Sequence, residues 1–341
     1  MLGGCDVATP DAPSPIGPPL HIVGIYPADG FGDDCTPDSP PECGVALNTS
    51  IVLRFDRYLD PSTANRQALS LSTGALSPKQ LLPKYDPIER VLEYRVRSDD
   101  LLLPRTLYHI EFAVPAAAAD FGFRAFDGAP LAEGDVPLRT SFFSSQQVET
   151  VSQADSPSCE TLVSNVLSGS CGGGDCHASR AKSGAPPQGL VLESSVDIFQ
   201  TAIGRVAHQT ELGDRSGVAL AQPARFGVEM PLIDPKNPGN SYLMYKLLRL
   251  PGNFEPGPAV AGSAIYRARL EPCLSAYAQL PLPEGACLAP SDDESARLRE
   301  WFVRGEPMPL QRPPRGQPVY LQGLRAISGF IAAGADCDAA P

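Results

Sequence analysis

The sequence is poor in the residues that most catalytic and nucleic-acid-binding sites depend on. It has four histidines, four methionines and one tryptophan in 341 residues. Charged residues make up only 19%, below the usual share for a globular domain. Lys and Arg form no cluster, and the formal net charge is −12. Binding phosphates needs clustered cations, so nucleic acid is excluded as a partner. No G-x-S-x-G elbow, Walker loop or dinucleotide glycine fingerprint occurs, and no nucleophile–base pair supports a hydrolase. No run approaches the ~18 apolar residues of a transmembrane helix. Attachment to a membrane would have to come through lipid.

Cysteine and proline are plentiful instead. There are nine cysteines, and 37 prolines against 31 glycines. Many of the cysteines sit in Pro/Gly/Asp-rich loops, a pattern that reads as disulfides and an oxidising compartment. With Cys5 set aside, Cys35 with Cys43 would close one short loop and Cys273 with Cys287 another. Cys159 with Cys337 is a further possible pair, but spacing alone does not fix connectivity. Length suggests about two domains.

Residues 1–19 begin Met1-Leu2-Gly3-Gly4-Cys5-Asp6. Leu2–Cys5 resembles a bacterial lipobox, which implies that Cys5 is acylated and holds the chain to a membrane. The Pro/Ala/Ser stretch that follows fits a semi-rigid tether. The other reading is an ordinary polar tail with one extra cysteine.

Residues 20–145 alternate with period two, the pattern of half-buried strands. Ile51, Leu53 and Phe55 share a face, as do Leu69 and Leu71, and Tyr108, Ile110, Phe112 and Val114. Asp60-Pro61, Asp86-Pro87 and Asp127-Gly128 are turns between the runs. About seven short strands predict an all-β sandwich. Tyr26–Gly30, "LNTSIVLRFDRYLDPST", "LLLPRTLYHIEF" and "LRTSFFSS" resemble the Ig-like modules of exported bacterial proteins. Such modules are spacers or binding surfaces, and the fold implies no chemistry. His21 and His109 read as solvent-facing strand residues.

Residues 146–158 are polar and aperiodic, a linker. Over 159–338 the period becomes helical. Leu162, Val163, Val166 and Leu167 share one face, and Val196, Phe199, Ala202 and Ile203 another. Asn240 or Ser241 caps a helix carrying Tyr242, Leu243 and Leu247. Ser291–Glu294 is a capping box ahead of Leu298, Trp301 and Phe302. Tyr320, Leu324, Ile327 and Ile331 mark a last helix stopped at Gly334.

The segment that carries chemistry is Cys171-Gly172-Gly173-Gly174-Asp175-Cys176-His177. Two cysteines followed at once by histidine is the arrangement that attaches haem c. Each thiol forms a thioether and the histidine becomes the proximal iron ligand. The spacing here is C-x4-C-H rather than C-x-x-C-H, and three glycines allow the longer loop to fold tightly. Two other readings stand beside this one. Cys171 and Cys176 form a disulfide, or they bind zinc with His177 and a fourth ligand from Cys159 or His208.

"GLVLESSVDIFQTAIG", "DPKNPGNSYLMYKLL" and "SARLREWFVRGEP" resemble, in that order, the cytochrome-c-like domains at the C-termini of exported bacterial lipoproteins. The resemblance implies a mainly helical haem domain, with Cys171 and Cys176 as attachment points and His177 proximal. It also implies a distal methionine before the last helix. The matching stretch here is Gln279-Leu280-Pro281-Leu282-Pro283, and leucine does not ligate iron. Met230, Met308 and His208 are the remaining distal candidates, and a five-coordinate haem would favour small-ligand binding.

The expectation is thus an exported lipoprotein of the periplasm or outer membrane, an Ig-like sandwich followed by a mainly helical cytochrome-c-like domain. It would transfer electrons or bind ligands at haem, among envelope protein partners. The alternative is a haem-free structural or interaction lipoprotein with Cys171–Cys176 as a disulfide.

Overall fold

The computed structural model describes residues 16–36, 38–74, 78–115, 121–132, 139–150, 156–171, 177–178, 189–207, 210, 226–260, 262–267, 270–302, 308 and 318–337. Cys5, Cys176 and His208 lie outside these residues. The chain divides into two compact units. One is Ile16–Ala154 together with Ser275–Pro281, and the other takes Asp155–Leu274 and Leu282–Pro341.

The first unit is two antiparallel sheets. Strands β1 (Ile22–Tyr26), β2 (Ser50–Phe55), β4 (Leu81–Asp86) and β5 (Val91–Val96) form one, in the order β1-β2-β5-β4. Strands β3 (Leu69–Ser72), β6 (Leu107–Phe112) and β7 (Arg139–Phe143) form the other, in the order β3-β6-β7. Register sets which side chains meet. Ile51 lies opposite Tyr94 and Leu53 opposite Leu92, and all four are fully buried. Leu71 lies opposite Ile110 in the second sheet. The inward residues of both sheets belong to one core with Phe123 and Phe142. Phe55 meets Phe123 edge-on at 5.4 Å, and Tyr108 stacks on Phe142 at 5.7 Å. Cys35 and Cys43 are disulfide-bonded. Residues just past β7 stay with the sheets, since Leu47 N–H donates to the Gln147 carbonyl and Asn48 exchanges two hydrogen bonds with Glu149.

The second unit corrects the expectation of a mainly helical cytochrome-c-like domain. Its helices are short: α1 (Cys159–Leu162), α2 (Ser168–Ser170), α3 (Ser195–Thr201), α4 (Tyr242–Leu248), α5 (Asp292–Trp301) and α6 (Tyr320–Ala333). A π-helical turn, Val163–Leu167, joins α1 to α2. Among the described residues, the extended regular architecture is the pair of sheets. The physical reason lies in how periodicity and caps act. They fix where a helix starts and which face is buried, but not that consecutive helices are long enough to make a helical domain. Proline and glycine between them interrupt the backbone ladder.

Local signals still operate. Ser291 Oγ accepts from Glu294 N–H at 3.2 Å and opens α5. Gly334, with φ 124°, ends α6. Helix α3 differs from its expected face, with Ile198 and Ala202 buried while Phe199 and Val196 stand exposed. Disulfides Cys159–Cys337 and Cys273–Cys287 close this unit. Among the described residues no helix is long and apolar enough to cross a membrane.

Candidate functional site

The site begins at the end of the first helical stretch. Ser158 caps α1, its Oγ accepting from Thr161 N–H at 3.2 Å. Leu162, Val163, Val166 and Leu167 are buried, and the disulfide to Cys337 ties down the start of the helix. The ladder runs out at Cys171, whose N–H donates to Leu167 O at 2.7 Å. The Cys171 carbonyl then accepts from His177 N–H at 3.0 Å. A backbone hydrogen bond therefore joins the first and last residues of the motif.

His177 is held at three points. Besides its bonded N–H, its carbonyl accepts from Leu192 N–H at 2.9 Å. Its ring Nδ1 lies 3.1 Å from the Leu190 carbonyl. A carbonyl only accepts, so Nδ1 carries the proton and Nε2 keeps its lone pair. The residue is 9% exposed. Burial holds the imidazole below the ordinary histidine range, the Leu190 hydrogen bond opposes that shift, and the charge of Lys246 adds to it. A buried, neutral imidazole anchored through Nδ1 is the form in which histidine serves as a metal ligand through Nε2.

Cys171 is also buried. Near it, burial first, then Tyr320 and Cys171, push the Tyr266 phenol up to about 12. Tyr266 Oη donates to Val319 O at 2.7 Å. The structure thus brings Cys171 and His177 together through the backbone.

Of the expected distal ligands, Met230 is 7% exposed, with its carbonyl accepting from Ala207 N–H at 3.1 Å. Met308 N–H donates to Lys246 O at 3.1 Å, and its carbonyl accepts from Asn253 Nδ2 at 3.0 Å. Leu280, in the stretch matched to the family's distal ligand, belongs to the β unit and packs with Val52 and Val91. Asp34, Cys35 and Cys43 are the one trio with metal-ligand spacing among the described residues, but both sulfurs are in a disulfide.

Sequence reasoning missed a second polar centre, on the outer face of the first sheet. Arg54 and Glu89, 3% and 1% exposed, pair at 3.3 Å. Ser275 Oγ donates to Glu89 Oε2 at 2.6 Å, and Ala276 N–H donates to Glu89 Oε1 at 2.6 Å. Burial pulls the Arg54 guanidinium below its ordinary value, and Glu89 opposes the shift. The available signal was apolar outward positions, Val52 on β2 and Val91 on β5.

No family model matches the chain, and no curated protein matches it. Solved structures similar to it include the S-layer protein rSbsC(31-844), at 13% identity over 38% of this chain and 14% of that one, with a TM-score of 0.23. The LD transpeptidase LdtMt1 in complex with imipenem aligns at 12% identity over 38% of this chain and 41% of that one, with a TM-score of 0.23. An L,D-transpeptidase from Mycobacterium smegmatis aligns at 14% identity, with the same coverages and a TM-score of 0.21. The alignments span less than half of each of those chains, and likenesses this distant carry no argument about function.

Proposed function

We propose that this chain is an exported cell-envelope protein that holds a c-type haem covalently, through thioethers to Cys171 and Cys176 with His177 as axial ligand. The observation that supports it is the anchoring of His177. Its Nδ1–H is bonded to the Leu190 carbonyl directly after a Cys-x4-Cys pair, which leaves Nε2 as the ligating atom. The donor set fits the group: one imidazole kept neutral by burial and two thiols. Haem bound there supplies one-electron exchange or axial binding of a small ligand. The chain's own part is to orient the imidazole, fix its tautomer and exclude water from it. Met230, Met308 and His208 are the distal candidates.

Export is supported by three disulfides, Cys35–Cys43, Cys159–Cys337 and Cys273–Cys287, which persist in oxidising compartments. Acylation of Cys5 is the proposed means of attachment to a membrane. The same disulfides favour a second reading, a haem-free structural or interaction protein in which Cys171 and Cys176 form a fourth pair. Intact mass separates the two. Chain made in a periplasm with haem-maturation machinery is expected to carry the mass of one haem, lost in Cys171→Ala/Cys176→Ala. Apoprotein mass, with Cys171 and Cys176 alkylated only after reduction, supports the second reading and refutes the first.

A further inference from the structure

The first unit includes seven residues, Ser275–Pro281, that lie far along the chain from its sheets. They cover part of the outer face of the first sheet, over Val52 and Arg54 on β2 and Val91 on β5. The contacts have two characters. One set is made to peptide groups and a hydroxyl. Glu89 accepts from Ala276 N–H and Ser275 Oγ–H, both at 2.6 Å. Arg54 Nη2 donates to Ser275 Oγ at 2.6 Å and to the Leu280 carbonyl at 2.8 Å. A buried carboxylate and a buried guanidinium thus hold a donor at one end of the segment and an acceptor at the other, with charge-assisted bonds.

The other set reads side chains. Leu280 seats over Gly24, where an added Cβ would stand 2.7 Å from its Cδ1, and packs with Val52 and Val91. Tyr277 packs against the same cluster, its hydroxyl 3.5 Å from Asp86 Oδ2. The segment folds on itself as a turn, with Tyr277 N–H donating to Ser275 Oγ at 2.9 Å and Leu280 N–H to Tyr277 O at 3.0 Å. Its flanks are closed by Cys273–Cys287, which limits the conformations it samples when undocked.

Backbone clamping by a charge pair, with separate seats for two side chains, is how peptide-recognition surfaces divide affinity from specificity. We propose that the outer face of the β1-β2-β5-β4 sheet is a peptide-recognition site for turn segments that present a small hydroxyl residue, a tyrosine and a leucine, and that Ser275–Pro281 is its resident ligand. The site is independent of the haem reading, and neither depends on the other.

The test uses the full chain with Ser275–Pro281 replaced by glycine and serine, and a synthetic peptide of residues 272–288 closed through its two cysteines. Titration calorimetry is expected to show saturable one-to-one binding to the replaced chain and binding at least ~10-fold weaker to the unaltered chain, whose site is filled. Glu89→Gln in the replaced chain is expected to weaken binding ~10-fold or more. No saturable binding to a replaced chain that keeps its β-sheet circular dichroism would overturn the proposal, as would equal binding to the unaltered chain. Should the replaced chain not fold, hydrogen exchange on the intact chain with Gly24→Val decides. Faster exchange confined to residues 275–281 and strands β2 and β5 supports the site, and unchanged exchange there refutes it.

Discussion

His177 has a thermodynamic consequence that does not depend on haem. Its ring is buried and neutral, with its proton affinity lowered first by desolvation. The unfolded chain therefore binds a proton at higher pH than the folded chain does. Stability is full above the ordinary histidine range and is lost as pH falls through it toward the lower folded value. The slope contributed by this one group reaches at most about 1.4 kcal/mol per pH unit. Urea unfolding of the apoprotein between pH 7.5 and 5.5, values on the order of the histidine range, is expected to show this slope. His177→Gln should flatten it, and an unchanged slope would show that the ring is not buried in neutral form. At this scale the sequence was informative about type and silent about partner. The Cys-Cys-His order marked the residue, but its partner is the backbone carbonyl of Leu190, a main-chain group that no side-chain motif singles out. Arg54 and Glu89 were less legible still. Arg54 reads as an ordinary outward strand residue, and its bonds to Ser275 and Leu280 span 221 and 226 residues of sequence.

Elements were legible where burial follows local period and opaque where it does not. The inward faces of β2 and β6 match their alternation, with Ile51, Leu53, Phe55, Tyr108, Ile110 and Phe112 all in the core. β2 departs from a half-buried strand because Val52 and Arg54, on its outer face, are buried too. That cover comes from a distant segment, which no local window contains. Helix α3 shows the opposite failure, since seven residues are too few for an apolar stripe to fix its phase. Helix α6 offers a sharper test of packing. A Cβ at Gly323 would stand 2.6 Å from Val319 Cγ1 and 2.7 Å from Tyr266 Oη, whereas one at Gly329 meets nothing within 4 Å. Gly323→Val is therefore expected to lower stability by about 2–3 kcal/mol through overpacking. Gly329→Ala in the same helix is expected to raise it by up to about 1 kcal/mol through helix propensity. Thermal or urea unfolding of the pair checks both signs, and equal effects would contradict the close approach at Gly323.

For the whole molecule, the chain divides into two compact units, and the architecture of the second was not legible in composition and period. Caps and apolar spacing located α4, α5 and α6, yet helices in sequence order did not amount to a helical domain. The discontinuous make-up of the first unit, which takes in Ser275–Pro281, is likewise invisible to any reading that runs once along the chain. What joins the scales is cysteine. Among the described residues three pairs brace the fold, and in sequence Cys171 and Cys176 stand just ahead of an anchored histidine. On the proposed function this last pair binds haem rather than adding another brace. The pyridine haemochrome spectrum of chain matured in a haem-attaching periplasm tests it most directly. A c-type spectrum is expected that survives acid–acetone extraction and disappears in Cys171→Ala/Cys176→Ala. A colourless protein, folded and with its disulfides intact, would contradict it.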